Sequence, residues 1–176
     1  GAHSTAAQVV HALHHVFEWI SQHPADQERL VNDSALRQRF VHESMRLHPA
    51  SPVAQRIAVE ATALNRVEVA EGDAVVIDIE TANRDPDVFG SDSSEFNPDR
   101  TLPDDVARWG LTFGSGMHAC LGRELAAGSP SNLDGAVSLM IRELLAHGAS
   151  PDPDHPATLD TTTTRHMWGT YPVRFQ

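Results

Sequence analysis

The residues best placed to do chemistry lie in Phe113-Gly114-Ser115-Gly116-Met117-His118-Ala119-Cys120-Leu121-Gly122, which carries the single cysteine of the chain. A lone thiol is either a small buried hydrophobe or a reactive ligand, and burial is the commoner fate. The setting here favours the ligand. An aromatic residue stands seven positions earlier, and Leu121-Gly122-Arg123-Glu124-Leu125-Ala126 reads as a helix that begins at the sulfur. Gly116 and Gly122 are expected to turn the backbone through φ > 0 and to let a flat partner come close. A helix N-terminus would favour an anionic sulfur through its amide groups and dipole. The chemistry these features suggest is a metal ligand presented on a loop.

Two other groupings have suggestive spacing. Glu43 and Arg46 are three apart on one helical face, a pair worth under about 1 kcal/mol if it stays on the surface. His11 and His15 are one turn apart, a spacing that can hold a metal, but no third ligand is evident. The histidines, eleven in all, are therefore read as helix-face residues that matter for pH dependence.

The elements that must position these groups are mostly helical. Val9, Val10, Leu13, Val16, Phe17 and Ile20 give a helix over 6–21, ended by His23-Pro24. A short polar helix follows over 26–32. Another, capped by Ser34, runs through Leu36, Phe40, Val41 and Met45 to Leu47 and stops at His48-Pro49. The period then changes. Runs at 54–59, 67–69 and 74–79, separated by Asn65-Arg66 and Glu71-Gly72-Asp73, predict a small antiparallel sheet. Residues 87–111 form a long irregular stretch rich in Pro, Asp, Ser and Gly. The helix after Cys120 is broken at Gly128-Ser129-Pro130-Ser131-Asn132 and resumes at Ala136, which predicts two helical pieces joined by an exposed loop. A polar linker over 151–156 and a final strand over 171–175 complete a chain that is mainly α with a small antiparallel β region, an α+β class. Met167 and Trp168 stand at the tip of that last hairpin.

Composition narrows the function. With 176 residues, 40% of them hydrophobic, the chain has the size and core of one domain. A formal charge of −11 argues against nucleic acid. All 13 basic residues are arginine, which suits fixed carboxylate pairing. One cysteine excludes an internal disulfide, and no apolar run reaches the length of a membrane span, so a cytoplasmic location is expected.

The pattern F-x-x-G-x-x-x-C-x-G, here Phe113, Gly116, Cys120 and Gly122, resembles the haem-ligand loop of the cytochrome P-450 superfamily of haem-thiolate monooxygenases. The upstream Glu43-Ser44-Met45-Arg46, followed by Leu47-His48-Pro49, and the later Phe96-Asn97-Pro98-Asp99-Arg100 strengthen that resemblance. It covers nearly the whole chain but only the C-terminal, haem-binding half of the family. It therefore implies that residues 1–176 are part of a single P-450 domain whose N-terminal half comes from the same or another chain. The resemblance implies haem b as cofactor, with Cys120 as the iron ligand and Phe113 and Gly114 shaping its loop. Leu121 and Gly122 would offer amides to the sulfur, and Arg56 and His118 would face the propionates. Glu43, Arg46 and Arg100 would be a structural triad that fixes the loop, satisfied only as a set. Pro52, Val53 and Ala54 would face the substrate side. Thr5 would be the alcohol that serves oxygen activation, with Ser4 where an acid usually stands; read from the residues alone, Ser4-Thr5 is a helix N-cap.

The activity so implied inserts one oxygen atom from O2 into a C–H bond of a small organic substrate. Electrons would come from NAD(P)H through a ferredoxin or flavoprotein, since the chain has no dinucleotide glycine motif of its own. Three alternatives stay open: a peroxide-driven or atypical haem-thiolate enzyme, suggested by Ser4; a non-catalytic haem-binding protein; and a structural fragment with an inert cysteine.

Overall fold

The computed structural model describes residues 2–129, 133–163 and 165–175. Helix α1 spans Ala2–Gln22, so Ser4 and Thr5 lie inside it and do not cap it; the N-cap reading is corrected. Helix α2 spans Asp26–Asn32 and α3 spans Ser34–Leu47. The cap of α3 is Asp33, whose side chain accepts from the Leu36 amide at 2.9 Å. Ser34, the cap expected from the sequence, is instead hydrogen-bonded to Asp134.

These helices share one core. Val16 of α1, Leu30 of α2, and Phe40, Val41 and Met45 of α3 meet Val137, Ile141 and Leu145 from a later helix, all fully or almost fully buried. Each such side chain contributes roughly 1.5–3 kcal/mol by leaving water. That makes the helical layer the rigid part of the molecule.

The β region is less continuous than expected. Strand β1 (Val53–Ile57) pairs antiparallel with β4 (Ala74–Asp78), in register Val53 with Asp78 and Ile57 with Ala74. Between them β2 (Thr62–Leu64) and β3 (Val67–Val69) form their own hairpin. The result is two separate two-stranded ladders and not one small sheet. Asn65 and Arg66 both take φ > 0, at 46° and 70°, as a two-residue hairpin turn of this hand requires.

Short helices α4 (Ile79–Ala82) and α5 (Pro86–Phe89) lead into the irregular stretch. Buried Asn83 organises it: its amide donates to the Arg46 carbonyl at 2.9 Å, and its oxygen accepts from the Leu111 amide at 2.7 Å. A single 3₁₀ turn over Gly116–His118 precedes Cys120, and α6 covers only Arg123–Ala127.

The described residues on either side of the break after α6 are paired strands and not exposed loop. Gly128 takes φ +82°, and β5 (Gly128–Ser129) pairs with β6 (Leu133–Asp134) before α7 (Ala136–Ala146) begins. Ala127 and Gly128 are buried. Gly135 crosses so closely that a Cβ there would sit 2.4 Å from the Ala126 carbonyl oxygen. Pro130, Ser131 and Asn132, also named in that expectation, lie outside the described residues. Strand β7 (Ala149–Pro151) pairs with the terminal β10 (Val173–Phe175), and β8 (Thr158–Leu159) with β9 (Trp168–Thr170). The predicted linker thus begins in a strand. Among the described residues no helix is long and apolar enough to cross a membrane.

Candidate active site

Cys120 is exposed, so the inert-core role of most lone cysteines does not apply to it. Its amide donates to the Phe113 carbonyl at 2.7 Å, which closes the loop on itself. Gly114 and Gly116 supply the two left-handed turns, φ +69° and +64°. Gly122, expected to do so, has φ −86°. What its missing side chain does is leave the sulfur accessible: a Cβ at 122 would touch Sγ at 3.9 Å. The helix at the sulfur is also corrected. It begins at Arg123, three residues on, and is five residues long, too short to act as an anion site on its own.

The stretch on either side of Cys120 in sequence is open and carries several exposed apolar residues. Met117 is 93% exposed and Leu121 fully so, with Leu125 at 76%. Large exposed apolar side chains close in sequence to an exposed thiol fit a broad, flat, apolar group bound through sulfur, as a haem is. The residues present therefore fit the group that the sequence resemblance implies.

The support behind the loop is polar and buried. Arg46 closes on Glu43 as a fork, Nε to Oε2 at 2.8 Å and Nη2 to Oε1 at 2.7 Å. Arg100 reaches Glu43 Oε1 from the other side at 3.2 Å, and the Asn97 amide donates to the same oxygen at 3.1 Å. Spare donors of Arg46 meet the Asn83 and Ser93 carbonyls at 2.6 and 2.7 Å. All three charged residues are buried. The structure thus brings Glu43, Arg46 and Arg100 into one satisfied network, to which Asp92 adds a bond to Arg100 that sequence reasoning did not anticipate.

A chain of contacts links this network to the thiol. Arg108 donates to the Arg100 carbonyl at 3.1 Å. Trp109 packs edge-on against His42 of α3 at 4.9 Å and against Phe113 at 5.7 Å. Thr112 donates to the Met45 carbonyl at 2.7 Å. Phe113 is half-buried by these contacts, and its carbonyl holds Cys120.

Other expected residues are placed less decisively. Arg56 on β1 and His118 are both exposed; Arg56 donates to the neighbouring Gln55 carbonyl at 2.8 Å. Ser4 and Thr5 are half-buried on α1. Val53 is 46% exposed. Met167 is buried, and Trp168 packs against His14 and Tyr171 at 4.7 and 5.1 Å.

Sequence reasoning missed two features. Arg37 is 2% exposed and joins α2, α3 and α7, as described below; a mid-helix arginine among polar neighbours carries no signal of burial. The histidines were read as helix-face residues, yet His11 and His15 are buried. Among the described residues no group of three or more His, Cys, Asp or Glu side chains is arranged to hold a metal.

The cytochrome P450 family model matches residues 10–129, and the chain belongs to that family. It is 42% identical over 89 residues to the cytochrome P450 family protein EryCII of Saccharopolyspora erythraea, covering 51% of this chain and 24% of that one. It is 30% identical over 137 residues to cytochrome P450 714B2 of Oryza sativa subsp. japonica, covering 77% of this chain and 25% of that one. The chain thus spans about a quarter of the length of these relatives. Among solved structures, CYP109E1 from Bacillus megaterium in complex with testosterone superposes with a TM-score of 0.78 at 22% identity, covering 99% of this chain and 44% of that one. That likeness shows the P450 fold.

Proposed function

We propose that residues 1–176 are the haem-binding C-terminal part of a P450 domain, and that the complete protein is a haem-thiolate monooxygenase. It would insert one oxygen atom from O2 into a C–H bond of a small organic substrate. The observation that carries this reading is the exposed Cys120 in an apolar, glycine-shaped loop braced by the buried Glu43 network. Haem b, bound through a thiolate, supplies the electron push that favours O–O cleavage.

The residues of this chain do the rest. Phe113 holds Cys120 through its carbonyl and shields one side of the sulfur. Leu121 and Gly122 offer amides that tune the ligand. Arg56 and His118, both exposed, are free to extend toward carboxylates such as the propionates. Thr5, with Ser4 beside it, serves the proton needed on the oxygen side. Electrons come from NAD(P)H through a ferredoxin or flavoprotein, and the N-terminal half of the fold comes from the same or another chain. We place the protein in the cytoplasm.

The test is the difference spectrum of the reduced, carbon-monoxide-bound protein, which reports thiolate ligation, followed by substrate turnover with a reductase. Ser4 supports one second reading, a peroxide-driven enzyme. Turnover with hydrogen peroxide and no reductase would select it.

A further inference from the structure

We propose that the cleft between α3, β5 and the segment around Trp109 is a binding site for a small aromatic carboxylate, held by Arg108 and seated against Trp109. The proposal stands independently of the oxidase reading.

The cleft has a volume of about 740 Å³, the size of a small-molecule site. Its walls come from three parts of the fold: residues 34–42 of α3, residues 107–109 of the irregular stretch, and β5. Small side chains keep it open. Ala35 of α3 and Ala107 both line it and both are exposed. Cys120 does not line it, so the site is separate from the thiol.

The aromatic character of the ligand follows from a corner of two rings. Trp109 meets His42 edge-on, centroids 4.9 Å apart and planes 87° from parallel, and both residues line the cleft. Rings at right angles offer a flat guest one face to stack on and one edge to abut. His42 is fixed in place, its Nε2 2.6 Å from the Ala127 carbonyl. Burial favours its neutral form, and the Arg108 charge works in the same direction, so the imidazole is not the partner of an anion.

The charge of the ligand follows from the cations. The cleft is lined by two arginines, Arg39 and Arg108, and by one carboxylate, Asp134. Asp134 is already matched, by Arg37 at 3.1 Å and by the Ser34 hydroxyl. Arg39 pairs with Asp99 at 3.1 Å. Arg108 differs: it is half-buried, donates to the Arg100 carbonyl at 3.1 Å, and forms no ion pair among the described residues. In a chain of formal charge −11, where Arg29, Arg46, Arg84 and Arg142 each find a carboxylate, a guanidinium left unpaired at a cleft is an exception. Its planar fork of N–H donors matches the two oxygens of a carboxylate. The ring corner beside it selects a carboxylate carried on an arene over a bare anion.

Calorimetric titration of the full chain with three ligands that share one ring system tests this: indole-3-acetate, the neutral indole-3-acetamide and the cationic tryptamine. The anion should bind at least about tenfold tighter than the amide, as a charge-assisted hydrogen bond requires, and tryptamine should bind more weakly than either. Arg108→Gln, which can keep a donor for the Arg100 carbonyl without the charge, should bring the anion to within about threefold of the amide. Ala35→Trp, at an exposed position, should fill the cleft and abolish binding. Absence of saturable binding, equal binding of the three ligands, an undiminished preference for the anion in Arg108→Gln, or binding that survives Ala35→Trp would each overturn the proposal. Should either variant fail to fold, nuclear Overhauser contacts in the unmodified protein decide: contacts from the ligand ring to Trp109 and Ala107 support the site, and contacts confined to other residues refute it. None of these outcomes depends on whether the chain binds haem.

Discussion

Glu43 Oε1 stands 3.2 Å from Nη2 of Arg100, a residue fifty-seven positions later, inside a pocket that excludes water from both. This one contact pins the irregular stretch, and through it the thiol loop, to the helical core. Because the carboxylate is buried between two guanidinium groups, its removal leaves Arg46 without a counter-charge and Arg100 with Asp92 alone. Glu43→Ala should cost about 3–5 kcal/mol in urea unfolding. Arg46→Lys should not rescue the network, since one ammonium cannot bond both carboxylate oxygens and two carbonyls. A loss below 1 kcal/mol in Glu43→Ala would show that the network is solvated.

Cys120→Ser separates ligation from folding. The sulfur is exposed, so the substitution should change stability by no more than about 0.5 kcal/mol in the haem-free protein. It should abolish the thiolate signature of the carbon-monoxide complex. A stability loss of core size would mean that the sulfur is packed, against the geometry described above.

Much of the fold was legible in the residues, for identifiable reasons. Val16, Phe40, Met45 and Ile141 recur at helical spacing because helices that bury one face must repeat every turn or so. The extended runs were legible from β-branched residues, but their pairing was not: nothing local in Ala54 or Thr62 says which strand it will meet. The site was legible where chemistry restricts residue type, at Cys120, Gly116, Glu43 and Arg46. It was illegible where burial comes from distant partners. His11 and His48 read as surface residues because the rings that cover them come from more than 30 positions away in sequence, as in the stack they form and the contact of His15 with His48. Gly122 misled for another reason: its φ of −86° is one any residue can take, and sequence does not tell such a glycine from one that needs φ > 0.

Arg37 gives a prediction that no motif supplied. Its guanidinium donates to the Leu30 and Val31 carbonyls at 2.8 and 2.9 Å, to Ser138 at 3.1 Å and to Asp134 at 3.1 Å. It therefore caps α2 and ties the β5–β6 break to α3. Arg37→Met keeps much of the volume but strands Asp134 and two carbonyls, so it should cost about 3–5 kcal/mol by chemical denaturation. Adding Asp134→Asn should recover part of that loss, because the stranded charge is gone.

The histidine cluster sets the acid limit of stability. His11, His48 and His15 have folded-state values near 4, 3 and 2, below the ordinary value of 6.5. The unfolded chain therefore binds more protons between these limits, and stability falls as pH falls. It should be level above about pH 7 and decline below about pH 6.5, by up to about 1.4 kcal/mol per pH unit for each histidine. Melting temperature followed from pH 8 to pH 4 checks the sign. Replacing His11 and His48 together by Phe should flatten the curve.

Gly114 and Gly116 offer a matched pair within the thiol loop. Both hold left-handed φ, at +69° and +64°, so a Cβ at either position carries the backbone cost of about 1–2 kcal/mol. They differ in surroundings. A Cβ at Gly114 would lie 3.2 Å from the His118 carbonyl oxygen, while one at Gly116 would meet nothing within 4 Å. His118 is the last residue of the turn that delivers the chain to Cys120, so pressure on its carbonyl moves the sulfur. Gly114→Ala should therefore weaken haem retention and shift the carbon-monoxide spectrum. Gly116→Ala should lower the melting temperature and leave the spectrum in place. Equal spectral effects from the two would mean that the loop responds to strain alone and that the contact between residues 114 and 118 does not set the ligand.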